Sequence, residues 1–151
     1  MAGLFFVSLI LIIVFYNYSK EKKYVCNLNI KAEGYEIIDS YEITVKKRYV
    51  KTVISNYSYI ALNDEYKEQV EYIKNEKIPI IINSNGMPGF TYLFEEEPYK
   101  FTVSGYLDFT LFKDINKLDQ KAKPVTYFRL KENLKYKELK KELVDKGYNC
   151  K

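Results

Sequence analysis

The stretch Cys26-Asn27-Leu28-Asn29-Ile30-Lys31-Ala32 (CNLNIKA, residues 26–32) decides the fold class. Apolar side chains occupy every second position, and polar side chains occupy the positions between them. A period of two is the pattern of a β-strand that buries one face and exposes the other. Gly34 ends the pattern, so we expect a first strand here, in a sheet with one covered face.

The same alternation recurs downstream and predicts several more strands. Tyr41–Val45 and Tyr49–Ile60 follow, separated by Lys46-Lys47-Arg48, which we interpret as a solvated hairpin turn. With the first strand, these runs predict an antiparallel meander. Four later runs are also expected to be strands, and the second and third of them show the same alternation: Phe90–Phe94, Tyr99–Val103, Leu107–Leu111 and Val125–Leu130.

Three features are expected to interrupt the second half of the sheet. Glu95-Glu96-Glu97-Pro98 should break the strand that begins at Phe90. Gly105 should mark a bulge or a turn, because glycine weakens a strand interior. The polar residues 113–124 predict a loop that contains a helical turn.

A helical period appears after Ile60. Asn63 or Asp64 can cap the helix, and Tyr66, Val70 and Ile73 then fall on one helical face. Proline lacks the N–H that a helix interior needs, so we expect the helix to end at a proline. We therefore expect the helix to end at Pro79. A short buried strand at Ile80–Ile82 and a loop at Asn83–Gly89 should follow it.

A second helix is expected near the C-terminus. Asn133 is its predicted cap, and Gly147 is placed for a left-handed C-cap. Its predicted buried face consists of Tyr136, Leu139, Lys140 and Leu143. The elements together predict an α+β fold, with an antiparallel sheet packed against two helices.

The N-terminal residues 2–18 carry no charge and are strongly apolar from Leu4 to Tyr16. As a helix they span ~25 Å, so they suit a short membrane anchor, whereas no signal-peptide cleavage site is visible. A buried core helix is the alternative. We therefore divide the chain into a transmembrane anchor at 1–19, a basic junction at 20–23 and a folded domain at 24–151.

The net charge of +4 is spread too evenly for a nucleic-acid-binding face. Lys20, Lys22 and Lys23 flank the apolar segment, and the positive-inside rule would place them in the cytoplasm. The cysteines indicate the opposite side. Cys26 and Cys150 bracket the folded domain, and a bridge between them would persist mainly in an oxidising compartment. Two unrelated thiols are the alternative.

A family resemblance rests on two segments. Tyr24-Val25-Cys26 precedes the β-rich part, and Tyr136–Lys151 (YKELKKELVDKGYNCK) closes the chain. In these segments the sequence resembles the YehR-like lipoproteins, small cell-surface proteins of low-GC Gram-positive bacteria. The resemblance implies a domain anchored outside the membrane, without an assigned activity or catalytic residues to carry over. The chain departs from that family in lacking a lipobox before Cys26.

Catalytic chemistry has few candidates, because the chain contains no histidine. No metal centre and no cofactor is expected. Glu95, Glu96 and Glu97, near Asp108 and Asp114, are a possible cation site or carboxylate pair. Consecutive residues of an extended segment point to opposite faces, so we expect a solvated turn instead.

Tyrosine is abundant, with 16 residues. Such side chains combine a broad apolar ring with a polar tip, so they suit a sugar- or peptide-binding surface, and half-buried sheet packing explains them equally well. The possible ligand surface comprises Tyr57, Tyr59, Tyr92, Tyr99 and Tyr106.

These features predict a membrane-anchored, extracytoplasmic domain. We expect a non-enzymatic binding or envelope-associated module, held in the membrane by its N-terminal helix and facing an envelope or extracellular ligand. A cytoplasm-facing membrane adaptor is the first alternative, because of the basic junction. A carboxylate-based hydrolase is the second.

Overall fold

The computed structural model describes residues 20–112 and 128–151. It contains six strands and two α-helices in these ranges. In chain order, with a single 3₁₀ turn at Asp64–Tyr66 before the first helix, they are β1 (Lys22–Lys31), β2 (Tyr35–Lys46), β3 (Tyr49–Ala61), α1 (Lys67–Ser84), β4 (Phe90–Glu97), β5 (Lys100–Asp108), α2 (Tyr136–Val144) and β6 (Asn149–Cys150). The predicted α+β class, an antiparallel sheet with two helices, is confirmed.

The six strands form one antiparallel sheet in the order β4-β5-β3-β2-β1-β6. The predicted meander holds for β1, β2 and β3. After β3, α1 carries the chain to the far edge, where β4 lies, and β5 then returns between β4 and β3. Alternation along each strand indicates which face is buried, but it carries no information about this crossover.

The hairpin between β2 and β3 has the predicted turn. Lys47 and Arg48 both have positive φ, +48° and +69°, which is the geometry of a two-residue turn that matches strand twist. β2 is longer than predicted, because it begins at Tyr35 and not at Tyr41. The polar residue Asp39 lies on the inward face of β2, so the first half of this strand does not show alternating apolar and polar residues.

One face of the sheet forms the core, and among residues 20–112 and 128–151 no helix covers the other, which we call the open face. Tyr41 pairs with Cys26 on one side and Ser55 on the other, so these residues share the inward face, which both helices cover. On the outward face, hydroxyl and amide side chains alternate with apolar ones. The most exposed apolar members of that face are Val25, Ile38, Ile54, Leu93 and Tyr106.

Pro79 does not end the first helix, and the strand predicted at Ile80–Ile82 does not exist. α1 runs through Pro79 to Ser84. Proline costs the helix one hydrogen bond, to the carbonyl of Asn75. The side chain of Pro79 is exposed, whereas Ile81 is buried against the sheet, so burial of the apolar face offsets the lost bond. Asn63 caps the 3₁₀ turn before α1, since its side chain accepts a hydrogen bond from the Tyr66 N–H at 3.3 Å, whereas the cap position of α1 itself, Tyr66, makes no side-chain cap bond.

Gly105 forms neither a bulge nor a turn. The pairing of β5 with both neighbours runs through it without a shift of register. A Cβ at this position would lie 2.4 Å from the Tyr92 ring and 2.6 Å from the Ser55 hydroxyl. Glycine is therefore required by close packing. Nor do Glu95–Glu97 interrupt the sheet, because they belong to β4 and the turn follows at Pro98 and Tyr99.

The C-terminal region differs from the prediction in two ways. Asn133 has φ of +52° and does not cap α2, whose cap position is Lys135 without a side-chain bond. The Val50 N–H donates to the Leu134 carbonyl, and this contact with β3 sets where the helix starts. Of the strand predicted at Val125–Leu130, the described residues 128–130 are not in a strand, although Phe128 and Leu130 are buried. Gly147 has φ of +94°, as predicted for a C-cap.

The predicted bridge between Cys26 and Cys150 is confirmed. The two residues face each other across β1 and β6, with Cα atoms 4.0 Å apart. Their neighbours Val25 and Lys151 exchange backbone hydrogen bonds of 3.1 and 2.9 Å. The cysteines thus occupy a non-hydrogen-bonded pair, where side chains of opposite strands approach most closely.

Within residues 20–112 and 128–151, no helix has the length and apolar character needed to cross a membrane. The anchor predicted at residues 1–19 and the loop predicted at 113–124 lie outside the described residues.

Removing the bridge should destabilise the protein. We expect the double variant Cys26→Ala with Cys150→Ala to lose about 2–5 kcal/mol of the free energy of unfolding, because the unfolded chain regains a long open loop. Urea unfolding of the full-length protein, followed by tyrosine fluorescence, measures this loss. Wild-type protein treated with a reductant is the control and should unfold like the variant. An unchanged unfolding midpoint would contradict the role of the bridge.

Candidate functional site

A tyrosine-lined pocket lies between the sheet and the start of α1. It is formed where β2 begins and β3 ends, and its volume is about 360 Å³. Its lining residues are Tyr35, Ile37, Tyr57, Tyr59, Tyr66, Gln69 and Ile73. Pockets of this volume with an apolar and aromatic lining and a few polar groups are typical of small-ligand sites.

The rings in this pocket are packed against one another. Tyr35 stacks on Tyr59 at a centroid distance of 5.4 Å and contacts the tilted ring of Tyr66 at 5.7 Å. Burial raises the pKa of the Tyr59 phenol, and the neighbouring Tyr35 and Tyr66 raise it further. The pocket therefore presents neutral aromatic surfaces and phenol hydroxyls.

Gly34 makes room for one wall of the pocket. A Cβ on Gly34 would lie 1.9 Å from the Tyr66 ring, so the ring can occupy its place only over a glycine. The Asn63 cap holds the backbone of Tyr66 from the other side. Two local features, a glycine at a strand end and a helix cap, thus fix the position of this side chain before any ligand binds.

The five tyrosines of the predicted ligand surface do not share one surface. Tyr57 and Tyr59 line the pocket. Tyr92 is buried, and Ser55 donates a hydrogen bond of 3.4 Å to its hydroxyl. Tyr106 lies on the open face of the sheet, and Tyr99 lies at the β4–β5 turn, where its hydroxyl donates to Asp64.

Sequence reasoning missed Tyr35 and Tyr66 as members of the site. Tyr35 belongs to the half of β2 that was not recognised as strand. Tyr66 was assigned to the buried face of α1, and only the contact with Gly34 places its ring at the pocket. Extending the period of two backward from Tyr41 through Ile37 to Tyr35 is the signal that could have found the first of them.

The acidic run in β4 does not assemble a site. Glu96 is ion-paired with Lys74 at 3.0 Å, and Glu97 lies 3.6 Å from Lys100. Glu95 and Glu97 point to the face of the strand opposite to that of Glu96. In the described part of the chain, no three acidic or cysteine side chains are close enough to hold a metal ion together. Asp108 accepts a hydrogen bond from the Thr110 N–H at 2.9 Å, and Asp114 lies outside the described residues.

A buried carboxyl lies behind the pocket. Asp39 faces Tyr57 across β2 and β3, is 1% exposed, and accepts a hydrogen bond from the Tyr148 hydroxyl. Burial raises its pKa from 3.8 to about 6, against the lowering effects of hydrogen bonds, chiefly that from Tyr148, and of the Lys77 charge. A carboxyl in this position cannot reach a ligand in solvent, so its role concerns stability.

Comparisons with known proteins inform the fold alone. No protein-family model matches the chain, and no curated protein matches it either. The NMR structure of a protein from Streptococcus pneumoniae TIGR4 is similar, with a TM-score of 0.58 over 87% of this chain and 86% of that chain. The identity is 15%, so the similarity extends to the α+β architecture and to no site residue.

Asp39 should make stability depend on pH. A raised carboxyl pKa means that the folded state holds a proton that the unfolded state releases, so this stabilisation is full below about pH 4 and is lost as pH rises through about 6. We expect wild type to lose ~3 kcal/mol relative to Asp39→Asn over this range. Asparagine keeps an oxygen that can accept the Tyr148 hydrogen bond.

Urea unfolding of both full-length proteins between pH 4 and pH 7 measures this difference. Glu65→Gln, the same change of charge at an exposed carboxyl, is the matched control. Parallel stability curves for wild type and Asp39→Asn would show that Asp39 does not titrate in this range.

Proposed function

We propose that the protein is a membrane-attached, extracytoplasmic binding module without catalytic activity of its own, whose tyrosine-lined pocket holds a sugar unit of an envelope polysaccharide. The observation that carries the proposal is the set of four tyrosines, Tyr35, Tyr57, Tyr59 and Tyr66, around one pocket.

The chemistry of the pocket supports a sugar ligand. A sugar ring has apolar C–H faces and a polar edge, and a tyrosine offers an apolar ring face and a hydroxyl tip. The exposed side chain of Gln69 adds an amide at the rim. Because Gly34 and Asn63 hold Tyr66 in place, the ring costs little conformational entropy when a ligand binds.

The Cys26–Cys150 bridge supports a location outside the cytoplasm, since disulfides persist mainly in oxidising compartments. Membrane attachment through residues 1–19 belongs to the proposal and rests on their uncharged, apolar sequence. The resemblance to YehR-like lipoproteins stays a prediction, and no residue of the pocket depends on it.

A cytoplasm-facing membrane adaptor is the second candidate. Lys20, Lys22 and Lys23 directly follow the apolar segment, and positive charge at this position favours cytoplasmic retention. The two candidates differ in the side of the membrane on which residues 24–151 lie.

Orientation can be measured on intact cells. We expect an added protease to degrade the domain without lysis, and we expect alkylation of unreduced membranes to leave the Cys26 and Cys150 peptides linked and unmodified. A cytoplasmic protein serves as the control for cell integrity. A domain protected from protease, with both cysteines alkylated, would support the cytoplasm-facing adaptor and contradict our proposal.

Ligand binding can be measured with full-length protein in a neutral detergent and isolated cell-wall polysaccharide. We expect saturable binding that Tyr66→Ala weakens about tenfold or more, because a central aromatic contact is lost. Tyr72→Ala is the matched control, since Tyr72 lies on α1, the helix that follows the turn containing Tyr66, but is 59% exposed and outside the pocket. Equal loss of affinity in both variants, or no binding by the wild type, would contradict the proposal that the tyrosine-lined pocket is the binding site. Binding to peptides in place of polysaccharide would overturn the assignment to sugar.

A further inference from the structure

A second pocket lies at the end of the sheet opposite to the tyrosine-lined pocket. It is formed where β1 begins, where the β2–β3 hairpin turns and where α2 begins, and its volume is about 500 Å³. β2 spans 12 residues between the two ends, or ~40 Å. The lining residues of this cationic pocket are Lys20, Lys22, Tyr24, Val45, Lys47, Arg48, Lys135, Tyr136 and Lys137.

The rim of this pocket carries positive charge that few acidic groups balance. All six of its lysine and arginine side chains are exposed. Among the described residues, only one of them has an ion pair, that of Lys135 with Glu138 at 3.9 Å. Like charges placed this close repel one another, so the rim is a favourable place for an anion.

The start of α2 adds to the same positive potential. Lys135 occupies its cap position without a side-chain cap bond, and its first turn contains Lys137 together with the acidic Glu138. A helix N-terminus carries partial positive charge and is stabilised by anions, so lysines at these positions are locally unfavourable. An anion bound at the rim would relieve both the helix end and the lysine cluster.

The floor of the pocket is apolar. Tyr24 and Tyr136 stack with ring centroids 3.9 Å apart and an interplanar angle of 17°. Val45 is buried beside them. A cationic rim over an apolar floor matches a ligand with a charged phosphate and an adjoining apolar part. A free phosphate ion would use the rim alone.

The position of the pocket along the chain indicates that such a ligand comes from the membrane. Lys20 directly follows Ser19, the last residue of the proposed anchor at 1–19, so the rim lies at the point where the domain meets that anchor. We infer that the cationic pocket binds the phosphate headgroup of an anionic membrane phospholipid and thereby orients the domain on the bilayer. This inference rests on the membrane attachment in the proposed function, and it places the tyrosine pocket at the end away from the membrane.

The first experiment compares lysine reactivity in full-length protein held in two kinds of lipid nanodisc. One contains phosphatidylcholine alone, and the other contains equal parts of phosphatidylcholine and phosphatidylglycerol. We expect acetylation of Lys22, Lys47 and Lys137 to fall about fivefold in the anionic discs, because each amine is held near phosphate. Lys31 and Lys67, exposed at the far end of the sheet, are the controls. Equal protection of the controls, or equal reactivity in both discs, would overturn the inference.

The second experiment titrates the protein in neutral detergent with soluble dihexanoyl phosphatidylglycerol. We expect Lys47→Gln with Lys137→Gln to weaken binding about tenfold or more and to reduce its dependence on salt. Lys31→Gln with Lys67→Gln removes the same charge and should change affinity less than about twofold. Equal weakening by the two pairs of substitutions would show that the affinity depends only on net charge, and it would contradict binding of the lipid at the cationic pocket.

Two further outcomes have defined meanings. If inorganic phosphate or glycerol phosphate binds as tightly as dihexanoyl phosphatidylglycerol, the ligand is a free phosphate compound and the lipid assignment is wrong. If the protein does not remain in either nanodisc, the membrane attachment of the proposed function fails. The soluble-lipid titration still decides whether the pocket recognises the headgroup, so the two failures are distinguishable.

Discussion

The pairing of β6 with β1, closed covalently by Cys26 and Cys150, is the constraint on which the C-terminal half of the structure depends. β6 has two residues, which is too short to hold a chain end by hydrogen bonds alone. A disulfide that closes so long a loop contributes ~2–5 kcal/mol to the free energy of unfolding, and that free energy is ~5–15 kcal/mol in total for a domain of this size. The bridge therefore adds a large stabilising contribution to that from the burial of Leu139 and Leu143, which packs α2 against the sheet.

Two contacts of the C-terminal segment depend on this closure. Tyr148 lies two residues before Cys150 and donates its hydroxyl to Asp39, which partly compensates the cost of burying a carboxyl. At the other end of the segment, Tyr136 stacks on Tyr24 of β1. The bridge thus supports two contacts of the same segment, the buried hydrogen bond to Asp39 and the aromatic stack in the floor of the cationic pocket.

The two pockets lie at opposite ends of the same strands and have opposite chemistry. The end formed by the start of β2 collects neutral aromatic rings, and the end formed by the start of β1 collects lysines and an arginine. Both pockets lie where strands end and a helix begins, and the residue types at those ends support the two binding proposals.

Local sequence determined the elements whose causes are local. The period of two identified much of the sheet, although β2 begins earlier than predicted and residues 109–111 and 128–130 are not strand. The Lys47–Arg48 turn, the Asn63 cap of the 3₁₀ turn and the cysteine bridge were also predicted, because each depends on near neighbours or on a unique pair. Tertiary structure decided the rest. Pro79 stays in a helix because Ile81 is buried, Gly105 is needed under the Tyr92 ring, and Tyr66 reaches the pocket over Gly34. These outcomes depend on which residues meet across the sheet, and a periodic pattern records which face is apolar but not which strands are neighbours.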